Sequence, residues 1–211
     1  ISLSGFSFKR NKLLKENPDS EMLWVWNEKL IEAGTDIVWY RSSYVERLNE
    51  KIKNIILNIC NEKIVLEYDC GFYVDDFKSK ELIKKAFEEE INKNEEREKK
   101  FGMSLIGPHR DDFKIILNDN EAKLYASQGQ QRTIALAIKM AEVELIKDDT
   151  GETPVLLLDD VLSELDENRR NFVLNKIKNI QVIITCTDKD LFGNIPDVNM
   201  INVEDIRDKF N

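Results

Sequence analysis

The residues best placed to do chemistry are two adjacent carboxylates. Val155-Leu156-Leu157-Leu158 is a run of four apolar residues ending in Asp159-Asp160. It reads as a buried strand that delivers negative charge to its C-terminal edge, where open α/β sheets bind ligands. Side chains alternate along a strand, so the carboxylates can do different jobs, with Asp159 facing a bound Mg2+ and Asp160 an attacking water. An apolar run followed by Asp-Asp also begins ordinary loops, so this pair alone leaves both readings open. The second candidate is Ala126-Ser127-Gln128-Gly129-Gln130-Gln131-Arg132-Thr133, directly before a strongly periodic segment. A hydroxyl, a residue without a side chain and unpaired N–H groups at a helix start suit a phosphate. Ser127 can equally cap its own helix. The combination says more than either part: the serine segment lies about 30 residues before the carboxylates, and Ser163-Glu164-Leu165-Asp166 follows directly after them.

These residues need a scaffold, and the chain after Gly102 supplies an alternating one. Phe113 to Leu117 and Ala122 to Tyr125 read as a β-hairpin turning on Asn118-Asp119-Asn120. Gly129 to Lys147 is helical, with the stripe Ile134, Ile138, Ala141 and Leu145. Val155–Leu158 is a strand, Asp166 to Ile180 a helix, Val182-Ile183-Ile184 a second apolar strand and Met200 to Val203 a weaker one. Continuous apolar strands separated by helices predict a parallel sheet covered on both faces, an α/β fold. The first hundred residues read as helices. Asp19 or Ser20 caps one that shows Leu23, Trp26, Leu30 and Ala33 on a face and stops at Gly34. A long amphipathic helix follows, with Tyr44, Leu48, Ile52, Ile55 and Ile59 in one stripe. Ile64 to Tyr68 is a short strand, and Ser79 caps a helix through Leu82, Ile83, Ala86, Phe87 and Ile91. That helix ends in Glu95-Glu96-Arg97-Glu98-Lys99-Lys100, which reads as a solvated charged face. The division expected is 1–103, helical, and 104–211, α/β.

Composition narrows the possibilities. With 42% hydrophobic and 34% charged residues, the 211-residue chain is apolar enough to fold. No stretch longer than nine residues lacks a charge, against the roughly twenty apolar residues of a membrane span. Ile1 to Phe8 have no basic lead and no long apolar follow-on, so they do not read as a signal peptide, and a cytoplasmic protein is expected. Three cysteines and the single His109 favour buried thiols over a disulfide framework or a zinc site. Net charge is −9, of which −7 lies after residue 100, the wrong sign for a protein that coats nucleic acid with its whole surface.

The order serine segment, carboxylate strand, Ser163–Asp166 resembles the C-terminal half of an ATP-binding-cassette head of the chromosome-maintenance type: signature motif, Walker B, D-loop. Gly107-Pro108-His109-Arg110-Asp111-Asp112 adds to it, and together these runs resemble the RecF family of bacterial recombination mediators. Arg10-Asn11-Lys12-Leu13-Leu14 and Trp26-Asn27-Glu28-Lys29-Leu30 are similar to that family's helical arm. The likeness begins near Lys9 and is most specific after Gly107.

The resemblance implies half of an ABC-type ATPase head, a parallel sheet flanked by helices, carrying an N-terminal helical arm. It implies that Ser127, Gly129 and Gln130 contact the γ-phosphate of ATP held by a second subunit, with Gln128 in place of the first glycine of the commoner signature. Asp159 matches the Mg2+ ligand. Asp160 stands where most cassette ATPases carry a catalytic Glu one methylene longer, which implies slow hydrolysis. Ser163 and Asp166 match the D-loop. Thr187 is a candidate γ-phosphate sensor where related proteins carry a switch histidine, and roles for His109 and Arg110 stay open. None of the eight glycines is followed by Lys, so the chain holds no phosphate loop and reads as the C-terminal part of a longer ATPase that neither binds ATP tightly nor hydrolyses it alone. For the intact protein, the family implies an ATP-dependent homodimer on DNA with single-strand/double-strand junctions or gaps, working with a RecR-type partner in replication and repair. Lys78, Lys80, Lys84 and Lys85 are candidate DNA contacts or a solvated face. The competing reading is a RecR-binding module with no nucleotide or DNA binding of its own.

Overall fold

In a computed structural model, residues 3–18, 21–57, 62–188 and 198–203 are described. The helices are α1 (Leu3–Glu16), α2 (Met22–Ile56), α3 (Lys80–Phe101), α4 (Ala122–Tyr125), α5 (Gln128–Thr150) and α6 (Glu167–Lys176). The strands are β1 (Ile64–Asp69), β2 (Asp112–Leu117), β3 (Asn120–Glu121), β4 (Leu156–Asp159) and β5 (Val182–Thr185), with 3-10 turns at Leu162–Glu164 and Ile177–Asn179. Contacts divide the chain into two compact units, Ile1–Glu152 and Thr153–Asn211. The change of pattern at Gly102 is therefore not where contacts part, because β1 pairs antiparallel with β2 across it, from Ile64 opposite Leu117 to Asp69 opposite Asp112.

The first unit is built on α2, a single helix of 35 residues, roughly 50 Å long. Gly34 does not stop it. It lies buried inside the helix where a Cβ would come 2.3 Å from Phe87 Cε1, so its bare backbone is what lets α3 approach. Leu30, Ile31, Phe87 and Ile91 form one apolar cluster there, with Phe72 stacked on Phe87 at 5.1 Å between centroids. Val38, Cys70, Val74 and Ile83 form another, flanked by Trp39, Tyr68 and Phe77. The cap expected at Asp19 or Ser20, and Ile59 and Cys60, lie outside the described residues.

The charged end of α3 is the solvated face expected at Glu96, Arg97 and Lys100, but not at Glu98. Glu98 is wholly buried and accepts from Arg10 Nη2 at 2.5 Å, and Arg10 is wholly buried too. Arg10 also donates to Asn27 (2.6 Å) and Ser104 (2.7 Å), while the second Glu98 oxygen accepts from the N–H of Leu105 at 2.6 Å. The β-hairpin is also corrected. Asn118 and Asp119 do turn the chain, both with left-handed φ. Only Asn120 and Glu121 pair back on β2, because Ala122–Tyr125, made largely of good helix formers, winds into α4.

In the second unit β4 and β5 pair parallel, Leu156 opposite Val182 through Asp159 opposite Thr185. This is the parallel pairing the apolar runs called for. The weaker strand expected at 200–203 is absent; residues 198–202 carry no regular structure. Among the described residues, no helix is long and apolar enough to cross a membrane.

Candidate nucleotide site

In the second unit, Leu156 and Leu158 are buried while Leu157 and Asp159 are exposed, the alternation of a strand. Asp159 is the last strand residue, and its Oδ1 accepts from the Thr185 hydroxyl at 2.5 Å. At Asp160 the chain leaves the strand with φ 51°, a left-handed conformation that costs an L-residue about 1–2 kcal/mol. Two hydroxyls and one carbonyl hold it. The Asp160 N–H donates to Thr185 Oγ1 (3.0 Å) and to the Thr185 carbonyl (3.2 Å), and Ser163 Oγ lies 2.8 Å from both the carbonyl oxygen and Oδ1 of Asp160. Asp166 then caps α6 by accepting from the Arg169 N–H at 2.9 Å, a bond that holds its carboxyl below the usual carboxylate range. Thr187 is exposed beyond the end of β5; the hydroxyl that reaches the carboxylates is that of Thr185.

Asp159 and Asp160 offer exposed oxygen donors only, which suits Mg2+, an ion that takes one or two carboxylates and completes its octahedron with water and phosphate oxygens. Among the described residues there is no group of three or more His, Cys, Asp or Glu placed to hold a metal by themselves.

In the first unit, Ser127 forms a capping box. Its hydroxyl accepts from the Gln130 N–H (3.3 Å) and Gln130 Oε1 accepts from the Ser127 N–H (2.8 Å). Capping and phosphate binding are compatible here, since accepting a bond leaves the Ser127 O–H proton free to be donated. Gln130 Nε2 in turn donates to Glu62 Oε1 at 2.7 Å, a residue that spacing along the chain gave no reason to single out. Ser127 and Gln128 are exposed, and Gly129 is half-buried.

His109 is exposed in a turn closed by the Arg110 N–H to Gly107 carbonyl bond at 2.9 Å. Gly107 has φ 136°, which a side chain would strain. Asp111 is not paired with Arg110. Its side chain is buried, accepts from Tyr68 Oη and from Arg41 (3.3 Å), and Arg41 also donates to the Pro108 carbonyl at 2.6 Å. Burial raises both the Asp111 carboxyl and the Tyr68 phenol above their ordinary values. The four candidate DNA-contact lysines each have a carboxylate partner: Lys78 with Glu46, Lys80 with Asp36, Lys84 with Glu88 and Lys85 with Glu89.

No family model matches the chain. Curated relatives do. The DNA replication and repair protein RecF of Thermoanaerobacter sp. (strain X514) is 43% identical over 188 residues, 87% of this chain and 52% of that protein. RecF of Acetivibrio thermocellus is 44% identical over 192 residues (88% and 52%). Among solved structures, that of the recombination mediator protein RecF-ATP in the RecFOR pathway matches with a TM-score of 0.81 at 36% identity, covering 90% of this chain and 52% of that one. The chain is a relative of RecF. It spans about half the length of the RecF proteins it matches, and a second solved structure, RecF-ATPrS, matches with a TM-score of 0.78. The α/β fold of half an ATPase head, expected from the motifs, is thus the fold of the RecF chains.

Proposed function

We propose that this chain is the signature and Walker B part of an ATP-dependent recombination mediator that acts at DNA gaps or junctions in replication and repair. The observation that carries the proposal is the carboxylate pair at the C-terminal end of parallel β4, locked by Thr185 and Ser163, in a chain similar to RecF-ATP. Asp159 would hold Mg2+ and Asp160 would orient water. Ser127, Gln128, Gly129 and Gln130 would close on the nucleotide of a second subunit in a homodimer, with Ser163 and Asp166 near the same interface and Thr187 as phosphate sensor. Bound Mg2+ supplies charge neutralisation at the phosphates; the chain's own residues position and exclude. Residues 1–103 would serve as arm and 104–211 as head.

The chain has no Lys-bearing glycine loop, so the β- and γ-phosphates of ATP lack their main cradle in it. Alone it would neither bind ATP tightly nor hydrolyse it, and micromolar affinity by calorimetry would overturn that. In the full-length protein, Asp160→Asn should slow a low ATP turnover by at least about 100-fold; an unchanged rate would remove Asp160 from the reaction. The carboxylate pairing of Lys78, Lys80, Lys84 and Lys85 favours a second reading, in which this segment contributes a surface for a RecR-type partner while DNA contacts lie elsewhere. A pull-down with that partner beside a gel shift on gapped DNA separates the two.

A further inference from the structure

We propose that Thr185 is a positioning residue for both carboxylates, setting the orientation of Asp159 toward its metal and the turn at Asp160. The proposal rests on the nucleotide reading above. One side chain does two jobs. The Thr185 hydroxyl has a single proton, spent on Asp159 Oδ1 at 2.5 Å, and its lone pairs accept the Asp160 N–H at 3.0 Å. The parallel register makes this possible, since Thr185 lies directly opposite Asp159 on the neighbouring strand.

The consequence for Asp159 is that one carboxylate oxygen is committed within the protein while the residue itself stays exposed. A carboxylate fixed at one oxygen is presented in one orientation, which is how residues behind a metal ligand raise its affinity. For Asp160 the consequence is conformational. Its left-handed φ is held on the N–H side by the Thr185 hydroxyl and carbonyl together and on the carbonyl side by Ser163, so loss of the threonine hydroxyl weakens the N–H-side restraint on the direction of the second carboxylate and leaves the Thr185 carbonyl as its remaining acceptor. A purely structural threonine would also satisfy the Asp160 N–H. The Thr185 carbonyl, at 3.2 Å, already accepts that N–H, so the hydroxyl is not needed for that alone.

The test uses the full-length protein with Mn2+ and a non-hydrolysable ATP analogue, following bound Mn2+ by electron paramagnetic resonance. Thr185→Val keeps the shape and removes the hydroxyl, Thr185→Ala removes it without an added methyl, and Thr185→Ser keeps it. Val and Ala should weaken Mn2+ binding about tenfold while Ser stays within about twofold, the range seen when the support behind a metal ligand is lost. Thermal melting of each variant shows that it folds, and Ala serves if Val does not. Asp159→Asn is the reference. If it loses Mn2+ while Val and Ala bind like wild type, the role of Thr185 is overturned and the nucleotide reading stands. Wild-type Mn2+ affinity in Asp159→Asn itself would overturn both.

Discussion

Replacing Glu98 by Ala should destabilise the first unit by about 3–5 kcal/mol, the cost of leaving a buried charge without its partner. The structure shows why the cost falls at the upper end of single-residue effects. Arg10 and Glu98 are both 0% exposed, so the stranded guanidinium cannot turn to water. Asn27 and Ser104 remain as neutral partners, and the Leu105 N–H loses its acceptor. Against the 5–15 kcal/mol of a typical domain this is a large fraction. The assay is urea unfolding followed by tryptophan fluorescence, because Trp24, Trp26 and Trp39 all lie in the first unit and report on it alone. Arg10→Met should cost as much as Glu98→Ala. The double variant Arg10→Met/Glu98→Ala removes both charges and leaves mainly unpaired neutral groups, so it should cost well under the sum of the singles. Singles costing less than about 1 kcal/mol, or a double equal to their sum, would refute the idea that these charges exist in the core by virtue of each other.

Gly34→Ala distinguishes a packing glycine from an ordinary helical one. An unobstructed helical position gains about 1 kcal/mol from this change, but here the new Cβ meets Phe87 Cε1 at 2.3 Å, so a net loss of about 1–2 kcal/mol is expected by the same unfolding assay, partly rescued by Phe87→Leu. Asp166→Ala should cost the second unit about 0.5–2 kcal/mol as a lost helix cap, measured by circular dichroism. Its folded carboxyl titrates below the unfolded value, so its contribution is fully present above the ordinary Asp range and fades as pH falls through the lowered one; the variant's stability should therefore show a weaker acid dependence.

Much of the scaffold was legible because it obeys one period at a time. β4 and β5 are uninterrupted apolar runs, and α5 has Ser127 at its start and buries Ile134, Ala141 and Leu145 of its stripe, together with Leu136, Ala137, Met140 and Val143 beside it. Where the reading failed, tertiary packing overrode a local rule. Gly34 looks like a helix stop and is a site of close approach. The buried stripe of α3 runs Ile83, Phe87, Ile91, Asn94, Glu98, so its helical period never breaks; the residue types become polar, and a search for apolar faces loses the track. Arg10, its partner, stands 88 residues away. In the candidate site, Asp159, Asp160 and Ser127 carried their own signals. Thr185 did so only in part: it follows Val182–Ile184 as Asp159 follows Leu156–Leu158, but the contact depends on the strand register, which neither run specifies alone.

The most direct test of shared nucleotide binding is subunit mixing in the full-length protein. Ser127→Arg blocks the signature side and Asp160→Asn the carboxylate side, so each homodimer should lose ATP turnover at both sites. Random mixing should restore about a quarter of the wild-type rate, since half the dimers are mixed and each has one intact site of two. A mixture that stays as inactive as its components would contradict a site built from two subunits.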